Sequence, residues 1–162
     1  MDHVNRREVL LAVAAAAAVT ALAQTGLLAD APANTANLID AGPKSNYSAD
    51  GITDTWAKTK KIFIVRHDGR IYASTGICTH KGCTVRVNPT KDGYVCPCHH
   101  ATYDITGEVT HKPATVALER FAISVDSNGH LIVDKSRPFY DDKWNDPASY
   151  VAVSDAQTQP SP

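Results

Sequence analysis

Two short segments hold all four cysteines of this chain. The first, at 78–83, reads CTHKGC, and the second, at 96–100, reads CPCHH and brings two adjacent histidines. Thiolate and imidazole groups at such close spacing are ligands that proteins use for zinc and for iron. Each segment offers one cysteine and one histidine for a metal, plus one further cysteine. The fold therefore has to bring both segments to one metal site, and the two remaining thiols could form a disulfide.

The two segments resemble the ligand motifs of the Rieske 2Fe-2S family, which read C-x-H-x-G-C and later C-x-x-H with a cysteine inside the second motif. The resemblance covers about 38–134. It implies that one 2Fe-2S cluster is held by four side chains: Cys78, His80, Cys96 and His99. It also implies that Cys83 and Cys98 form a disulfide that clamps the two loops. Ferredoxins of ring-hydroxylating oxygenases lack those two cysteines, so the resemblance is to the branch that includes cytochrome bc-type subunits.

In a Rieske centre two neutral imidazoles replace two anionic thiolates on one iron, which raises the reduction potential and suits the cluster to electron transfer. A structural zinc site is the alternative, because the same residue types satisfy tetrahedral zinc. Zinc ribbons more often carry paired C-x2-C motifs, whereas each segment here pairs a cysteine with a histidine. His100 stands where many family members have glycine and is expected near the ligands or at the surface; alternatively, it competes with His99 as a ligand.

Hydrogen bonds to the cluster sulfurs stabilise the reduced state and raise the potential. By resemblance, the Tyr103 hydroxyl donates such a bond to a ligand sulfur, although an ordinary core aromatic is the alternative. Ala101 stands where a serine hydroxyl usually donates to a bridging sulfide. The loss of this second donor predicts an intermediate reduction potential.

Four further positions are expected to lie around the cluster. Lys112 and Pro113 occupy the place of a proline loop that caps it, usually written Gly-Pro-Ala, and Gly82 falls at the glycine of the first motif. Lys81 follows His80, where quinol-oxidising relatives carry an apolar residue that docks on cytochrome b. A lysine there weakens apolar docking unless the partner supplies an acidic group. A solvated loop residue is the simpler interpretation.

Paired arginines, Arg6 and Arg7, precede an alanine-rich apolar run at 9–23. This resembles a twin-arginine export signal, a route that carries folded proteins loaded with a cofactor. Possible A-x-A cleavage signals end at Ala23, Ala31 and Ala33. A retained anchor is the alternative, because 9–28 reaches the roughly 20 residues that span a bilayer. We expect a periplasmic protein, anchored to the inner membrane if the signal is kept.

The remaining sequence predicts an all-β fold, and the resemblance implies a Rieske-type antiparallel β-sandwich with an inserted cluster-binding subdomain of loops and short strands. Apolar patterns flanked by Asp-Gly or Asn-Gly turns predict strands at 62–66, 71–74, 84–87, 93–95, 107–109, 121–125 and 130–134. No amphipathic helix is expected after the leader. We divide the chain into a signal or anchor at 1–31, a linker at 32–37, the Rieske domain at 38–137 with ligand loops at 78–83 and 96–103, and an extension with a tail at 138–162.

Charge and length exclude some functions. The formal net charge is −1, which disfavours nucleic acid as a partner and predicts no charge-steered docking. The chain is too short for the second domain of a ring-hydroxylating oxygenase, so an oxygenase catalytic subunit is excluded. The C-terminal aromatic residues at 138–150 either pack on the sandwich or meet a partner.

These observations predict a periplasmic Rieske-type electron-transfer protein that passes single electrons, as a stand-alone carrier or as the small subunit of an oxidoreductase. Its partners would be a cytochrome or an oxidoreductase subunit. The alternative is the iron-sulfur subunit of a quinol-oxidising cytochrome bc-type complex, which would meet quinol through a cytochrome b. A structural zinc-binding module is the more distant alternative.

Overall fold

The computed structural model of the protein describes residues 35–153; the predicted export signal and the tail from 154 onward lie outside them. The described residues form eleven strands, four short 3-10 turns and no α-helix. The strands are β1 (Leu38–Pro43), β2 (Gly51–Thr53), β3 (Ile62–His67), β4 (Arg70–Thr75), β5 (Arg86–Val87), β6 (Gly93–Val95), β7 (Thr102–Asp104), β8 (Val109–His111), β9 (Arg120–Val125), β10 (His130–Phe139) and β11 (Val151–Ala152). The 3-10 turns lie at Thr35–Asn37, Lys44–Tyr47, Asp141–Lys143 and Pro147–Ser149. Within 35–153 no helix is long and apolar enough to cross a membrane.

Seven strands form the antiparallel base sheet, in the order β1-β10-β9-β4-β3-β2 with β11 added beside β4. The predicted β3–β4 hairpin is confirmed, and its turn residues Asp68 and Gly69 have φ values of 50° and 67°. Two successive left-handed residues define the turn type that matches the twist of a hairpin, which is why Asp-Gly is favoured there. The predicted Asn128-Gly129 turn between β9 and β10 is also present, with Gly129 at φ 79°.

The remaining four strands form a separate antiparallel sheet in the order β5-β6-β7-β8. They lie in the sequence between β4 and β9, which are paired neighbours in the base sheet. The predicted all-β class with an inserted subdomain is therefore confirmed. Gly93 is required in β6 because a Cβ atom there would collide with the carbonyl of Tyr103 on the adjacent strand.

Two strand predictions need correction. The 84–87 strand is reduced to Arg86–Val87, since Thr84 makes only an isolated bridge with Ile77 across the first ligand loop. The 107–109 strand instead begins at Val109, because the Asp104 carboxylate accepts the backbone N–H groups of Gly107 and Glu108 and holds them in a turn.

Strand β3 separates two apolar cores. Ile62 and Ile64 pack into the core of the base sheet, whereas Phe63 and Val65 face a second core that contains Cys78, Cys96, Tyr94 and Tyr103. Successive side chains of a strand point to opposite faces, so a strand covered on both faces is a continuous apolar run. The second core therefore joins the subdomain to the base sheet and lies beneath the ligand loops.

The described part of the C-terminal extension packs against the domain. Strand β10 continues past residue 137 to Phe139, and β11 pairs with β4. Phe139 and Trp144 are buried, and Tyr140 is exposed. The guanidinium of Arg120 lies 3.7 Å from the Tyr72 ring centroid and 4.1 Å from that of Trp144, so the extension closes over a buried cation.

Candidate metal centre

The first ligand loop follows the end of β4 and is closed by its own backbone. The Cys78 N–H donates to the Cys83 carbonyl at 2.7 Å, and the Gly82 N–H donates to the Cys78 carbonyl at 2.9 Å. Gly82 has φ 73°, in the left-handed region that glycine enters without a steric penalty. This closure turns Cys78 into the second core and leaves Lys81 exposed at the apex of the loop.

The second ligand loop follows β6 and repeats the same geometry. The Cys96 N–H donates to the Ala101 carbonyl at 2.8 Å, and the His100 N–H donates to the Cys96 carbonyl at 2.9 Å. His100 has φ 60° and takes the place that Gly82 has in the first loop. The preference of this position for glycine thus has a backbone cause, and His100 is an exposed residue that adopts an unfavourable conformation.

A disulfide between Cys83 and Cys98 joins the two loops, as predicted, with their Cα atoms 6.6 Å apart. The sulfurs of Cys83, Cys98 and Cys96 lie within 4.8 Å of one another. Since two of these sulfurs are bonded to each other, the trio is a disulfide packed against a free thiol and not itself a metal site. The disulfide fixes the separation of the two loops on the side of Cys96.

The four predicted ligands lie on the two loops as a pair of cysteines and a pair of histidines. Cys78 and Cys96 are free thiols with 2% and 1% exposure. The imidazole rings of His80 and His99 are in edge contact, with centroids 4.9 Å apart and planes at 86°. His99 is exposed, and His80 is half-buried. The two thiols are thus buried, whereas the two imidazole rings lie nearer the surface.

One buried atom tests whether these residues fit a metal cofactor. The Nδ1 atom of His80 is shielded from solvent and has no hydrogen-bond partner among the residues that the structure describes. A buried polar atom without a partner is costly and rare. Coordination to a metal would satisfy it, and the two buried thiols supply the sulfur ligands that iron requires. The donor set therefore fits an iron-sulfur cluster.

Tyr103 reaches the first ligand loop from β7. Its hydroxyl oxygen lies 3.3 Å from Cys78 Sγ, 3.2 Å from the Thr79 N–H that donates to it, and 3.0 Å from Thr79 Oγ1. Burial, and then the contact with Cys78, raise the pKa of Tyr103 to about 12. The tyrosine therefore keeps its proton at neutral pH and can donate it.

The surroundings of Cys78 favour a thiolate. Burial alone raises the pKa of the Cys78 thiol. The Tyr103 hydroxyl, backbone N–H groups of the loop and the Cys96 thiol lower this pKa, and together they outweigh the effect of burial. The net pKa of Cys78 is lowered. A thiolate is the form of cysteine that binds metal.

The other predicted positions surround this arrangement at different depths. Ala101 is fully buried in the second core. Lys112 is exposed, and Pro113, joined to it by a cis peptide bond, is half-buried. Thr79 connects the first ligand loop to the proline loop, because its hydroxyl donates to the Val116 carbonyl at 2.6 Å. Thr79 was not among the predicted site residues; its place directly after Cys78, with a hydroxyl among ligand residues, was the available signal.

Comparison with known proteins agrees with this site. Residues 37–122, more than half of the chain, match the family model described as Rieske [2Fe-2S] domain. The chain is 40% identical over 68 residues to the cytochrome b6-f complex iron-sulfur subunit 1 of the cyanelle of Cyanophora paradoxa, covering 41% of this chain and 28% of that protein. It is 32% identical over 72 residues to the cytochrome b6-f complex iron-sulfur subunit of Chlorobaculum thiosulfatiphilum, covering 44% and 40%. The alignments thus span well under half the length of these relatives.

One solved structure with a similar fold is the plasma membrane Rieske protein PetC3 from the cyanobacterium Synechocystis PCC 6803. The two chains are 30% identical with a TM-score of 0.46, and the match covers 59% of this chain and 98% of the other.

The fold and the site define an iron-sulfur domain of the electron-transport class. The chain belongs to the Rieske [2Fe-2S] domain family and is related to the cytochrome b6-f iron-sulfur subunits. Its cofactor is a 2Fe-2S cluster.

Proposed function

We propose that this chain is a periplasmic electron-transfer protein that passes single electrons, as a stand-alone carrier or as the small subunit of an oxidoreductase. The cluster would be held by four side chains: Cys78, His80, Cys96 and His99. When bound, it supplies a one-electron redox couple. The observation that carries the proposal is the buried, unpartnered Nδ1 of His80, whose ring contacts that of His99, on loops that also carry two buried free thiols.

The histidines form the electron exit in this proposal. His99 is exposed and its ring touches that of His80, so the imidazole edges give the shortest route from the centre to a partner. With Nδ1 of His80 turned inward, its Nε2 is the nitrogen that can exchange a proton with solvent. A positive charge added nearby lowers the pKa of an imidazole, which couples its proton to the electron and makes the reduction potential fall as the pH rises.

The protein would work outside the cytoplasm. Arg6 and Arg7 precede an apolar run, and the Cys83–Cys98 disulfide is of the kind that persists in oxidising compartments. We propose export by the twin-arginine route, with the segment at 9–28 serving as an inner-membrane anchor if it is not removed.

A second candidate is the iron-sulfur subunit of a quinol-oxidising cytochrome complex. It is favoured by the relatives, which are subunits of cytochrome b6-f complexes. Lys81 makes this candidate less favourable, because an exposed ammonium group next to His80 in the chain opposes docking on an apolar surface.

The test is a redox titration at several pH values, with visible circular dichroism and iron and zinc analysis, on protein purified from the periplasm of its host. We expect iron and a potential that falls with pH. A potential in the high part of the family range, roughly −150 to +300 mV, would favour the quinol-oxidising complex. A colourless zinc protein would contradict both candidates.

The ligand assignment has its own matched pair of variants. We expect His99→Ala to remove the native visible spectrum and His100→Ala to preserve it. The reverse result would make His100 the ligand.

A further inference from the structure

The loops around the candidate centre carry a segregated charge. No aspartate or glutamate occurs at 69–91, 93–103 or 109–118, the stretches that contain both ligand loops and the proline loop. These stretches do contain Lys81, Arg86 and Lys112, all of them exposed. The ligand loops and the proline loop therefore carry exposed cationic side chains and no acidic residue.

A surface cleft extends this cationic region away from the histidines. Its volume is about 1140 Å³, and the disulfide residues Cys83 and Cys98 line it on the side of the ligand loops. Lys58, Lys61 and Arg86 line it as well. Asp54 is the single acidic residue among the described residues that line the cleft, so its three basic residues outnumber it.

Acidic residues flank these stretches in the sequence, at Asp68, Asp92, Asp104, Glu108 and Glu119, and the others lie in other parts of the chain. Asp126 and Asp40 both contact His130 at the β9–β10 turn, through its backbone N–H and its Nδ1 respectively. This turn lies at the end of β9 opposite to Arg120, which pairs with Ser74 just before the first ligand loop. Asp141, Asp142 and Asp146 lie in the C-terminal segment. The formal net charge of −1 for the whole chain hides this separation, which is why charge balance alone predicts no steered docking.

We propose that the cleft and the adjoining loop carrying Lys81 form the docking surface for an acidic redox-partner protein. The inference rests on the proposed electron-transfer function and adds the chemistry of the partner. Carboxylates of the partner would pair with Lys58, Lys61 and Arg86 along the cleft and with Lys81 beside His80. Complementary charges speed diffusional encounter and fix the orientation of a complex. Pairing Lys81 with a carboxylate also removes the cost of covering its charge next to the electron exit.

The probe is one cytochrome c in two forms: the unmodified basic protein and the same protein made acidic by succinylation of its lysines. The reduced protein is mixed with each oxidised cytochrome in a stopped-flow instrument at about 10 mM ionic strength, where the Debye length is about 30 Å. We expect the acidic form to react at least about tenfold faster, and we expect added salt to remove the difference. Equal rates, or a faster basic form, would overturn the proposal.

Matched variants locate the effect. K81Q/R86Q should slow the acidic cytochrome about tenfold. The control K44Q/K143Q removes the same charge from exposed lysines outside the cleft and the ligand loops, and should change the rate less than twofold. An equal loss in both variants would show that only overall charge matters and would refute a local docking surface.

Equilibrium binding gives a second readout that does not depend on electron transfer. Surface plasmon resonance should show tighter binding to the immobilised acidic cytochrome than to the basic one, weakened by K81Q/R86Q. Absence of iron in the purified protein would defeat the proposed function, while this binding preference could still be measured. Binding to phosphatidylglycerol vesicles without discrimination between the cytochromes would overturn the proposal in favour of a membrane surface.

Discussion

Tyr103→Phe tests the link between the second core and the electronic properties of the cluster. The change removes one hydroxyl from a buried ring and leaves the ring in place. That hydroxyl lies 3.3 Å from Cys78 Sγ, and a donor to a ligand sulfur stabilises the more negative, reduced state. We therefore expect the variant to have a lower reduction potential.

The size of the effect follows from how the hydroxyl proton is shared. Thr79 Oγ1 donates its own hydrogen to Val116, so toward Tyr103 it acts as an acceptor at 3.0 Å and competes with the sulfur. A full hydrogen bond contributes about 1 kcal/mol net, which is roughly 40 mV for a one-electron couple, since 59 mV is a tenfold change. With the proton divided between two acceptors, we expect a fall of roughly 20–40 mV.

Removal of the competing acceptor should have the opposite sign. Thr79→Val keeps the backbone N–H that donates to Tyr103 but removes Oγ1, so the tyrosine proton turns to the sulfur alone. We expect the potential to rise by up to roughly 20 mV.

Both changes are measured by redox titration monitored by circular dichroism at fixed pH. Tyr94→Phe is the matched control: Tyr94 pairs with Tyr103 in the β6–β7 ladder, is equally buried, and its hydroxyl has no hydrogen-bond partner within 35–153. Its potential should match that of the parent within about 10 mV. A Tyr103→Phe potential that is unchanged or higher would refute the assignment of this hydroxyl as a donor to Cys78.

Three further predictions concern stability. The double variant Cys83→Ser/Cys98→Ser removes a crosslink between residues 15 positions apart, and should lower the free energy of unfolding by about 3 kcal/mol and speed cluster loss. Guanidine titration measures the first effect and bleaching of the visible band measures the second. An unchanged bleaching rate would contradict a clamping role of the disulfide. His100→Gly should relieve a left-handed residue, raise the stability by about 0.5–1 kcal/mol and keep the visible spectrum; a lower melting temperature would show that the His100 side chain makes a compensating contact. Hydrogen bonding to the Asp40 carboxylate raises the pKa of His130, and the same contact lowers the pKa of Asp40. The pair therefore stabilises the fold at pH values below 6.5, the ordinary pKa of histidine. This contribution is lost as the pH rises through the pKa of His130 in the folded protein. Asp40→Asn should therefore melt at a lower temperature than the parent at pH 5.5 and at the same temperature at pH 8.5, and a difference that persists at pH 8.5 would exclude the ion pair as its cause.

Local signals predicted the parts of the fold that depend on a few neighbouring residues. The Asp68-Gly69 and Asn128-Gly129 turns specified two hairpins because the left-handed φ values of Asp68, Gly69 and Gly129 are available to few residue types. The apolar run at 62–66 predicted the strand β3, and the fold covers that strand on both faces. In contrast, β1, β2, β7 and β11 were not predicted, because short strands are specified mainly by the neighbours with which they pair.

The contacts that tune the site could not be predicted in the same way. Thr79 acquires its importance only because Tyr103, 24 positions away, and Val116, 37 positions away, reach its hydroxyl. The cleft forms because Lys58 and Lys61 from the β2–β3 connection lie opposite the disulfide. No local pattern in the sequence reports such meetings, since they depend on the register of strands far apart in the chain.

The sequence by itself determined the chemistry of the protein: the cysteine and histidine motifs carried the family resemblance, which in turn implied the cofactor and the disulfide partners, because such motifs are local properties of the chain. Only the tertiary structure decided how that chemistry is presented. Two loops of the same backbone geometry bring two imidazole rings into edge contact and bury two thiols, and the fold gathers basic side chains from separate segments along one cleft. The physical reason is that a metal motif is fixed by covalent neighbours, whereas charge density and hydrogen-bond sharing depend on which surfaces folding brings together.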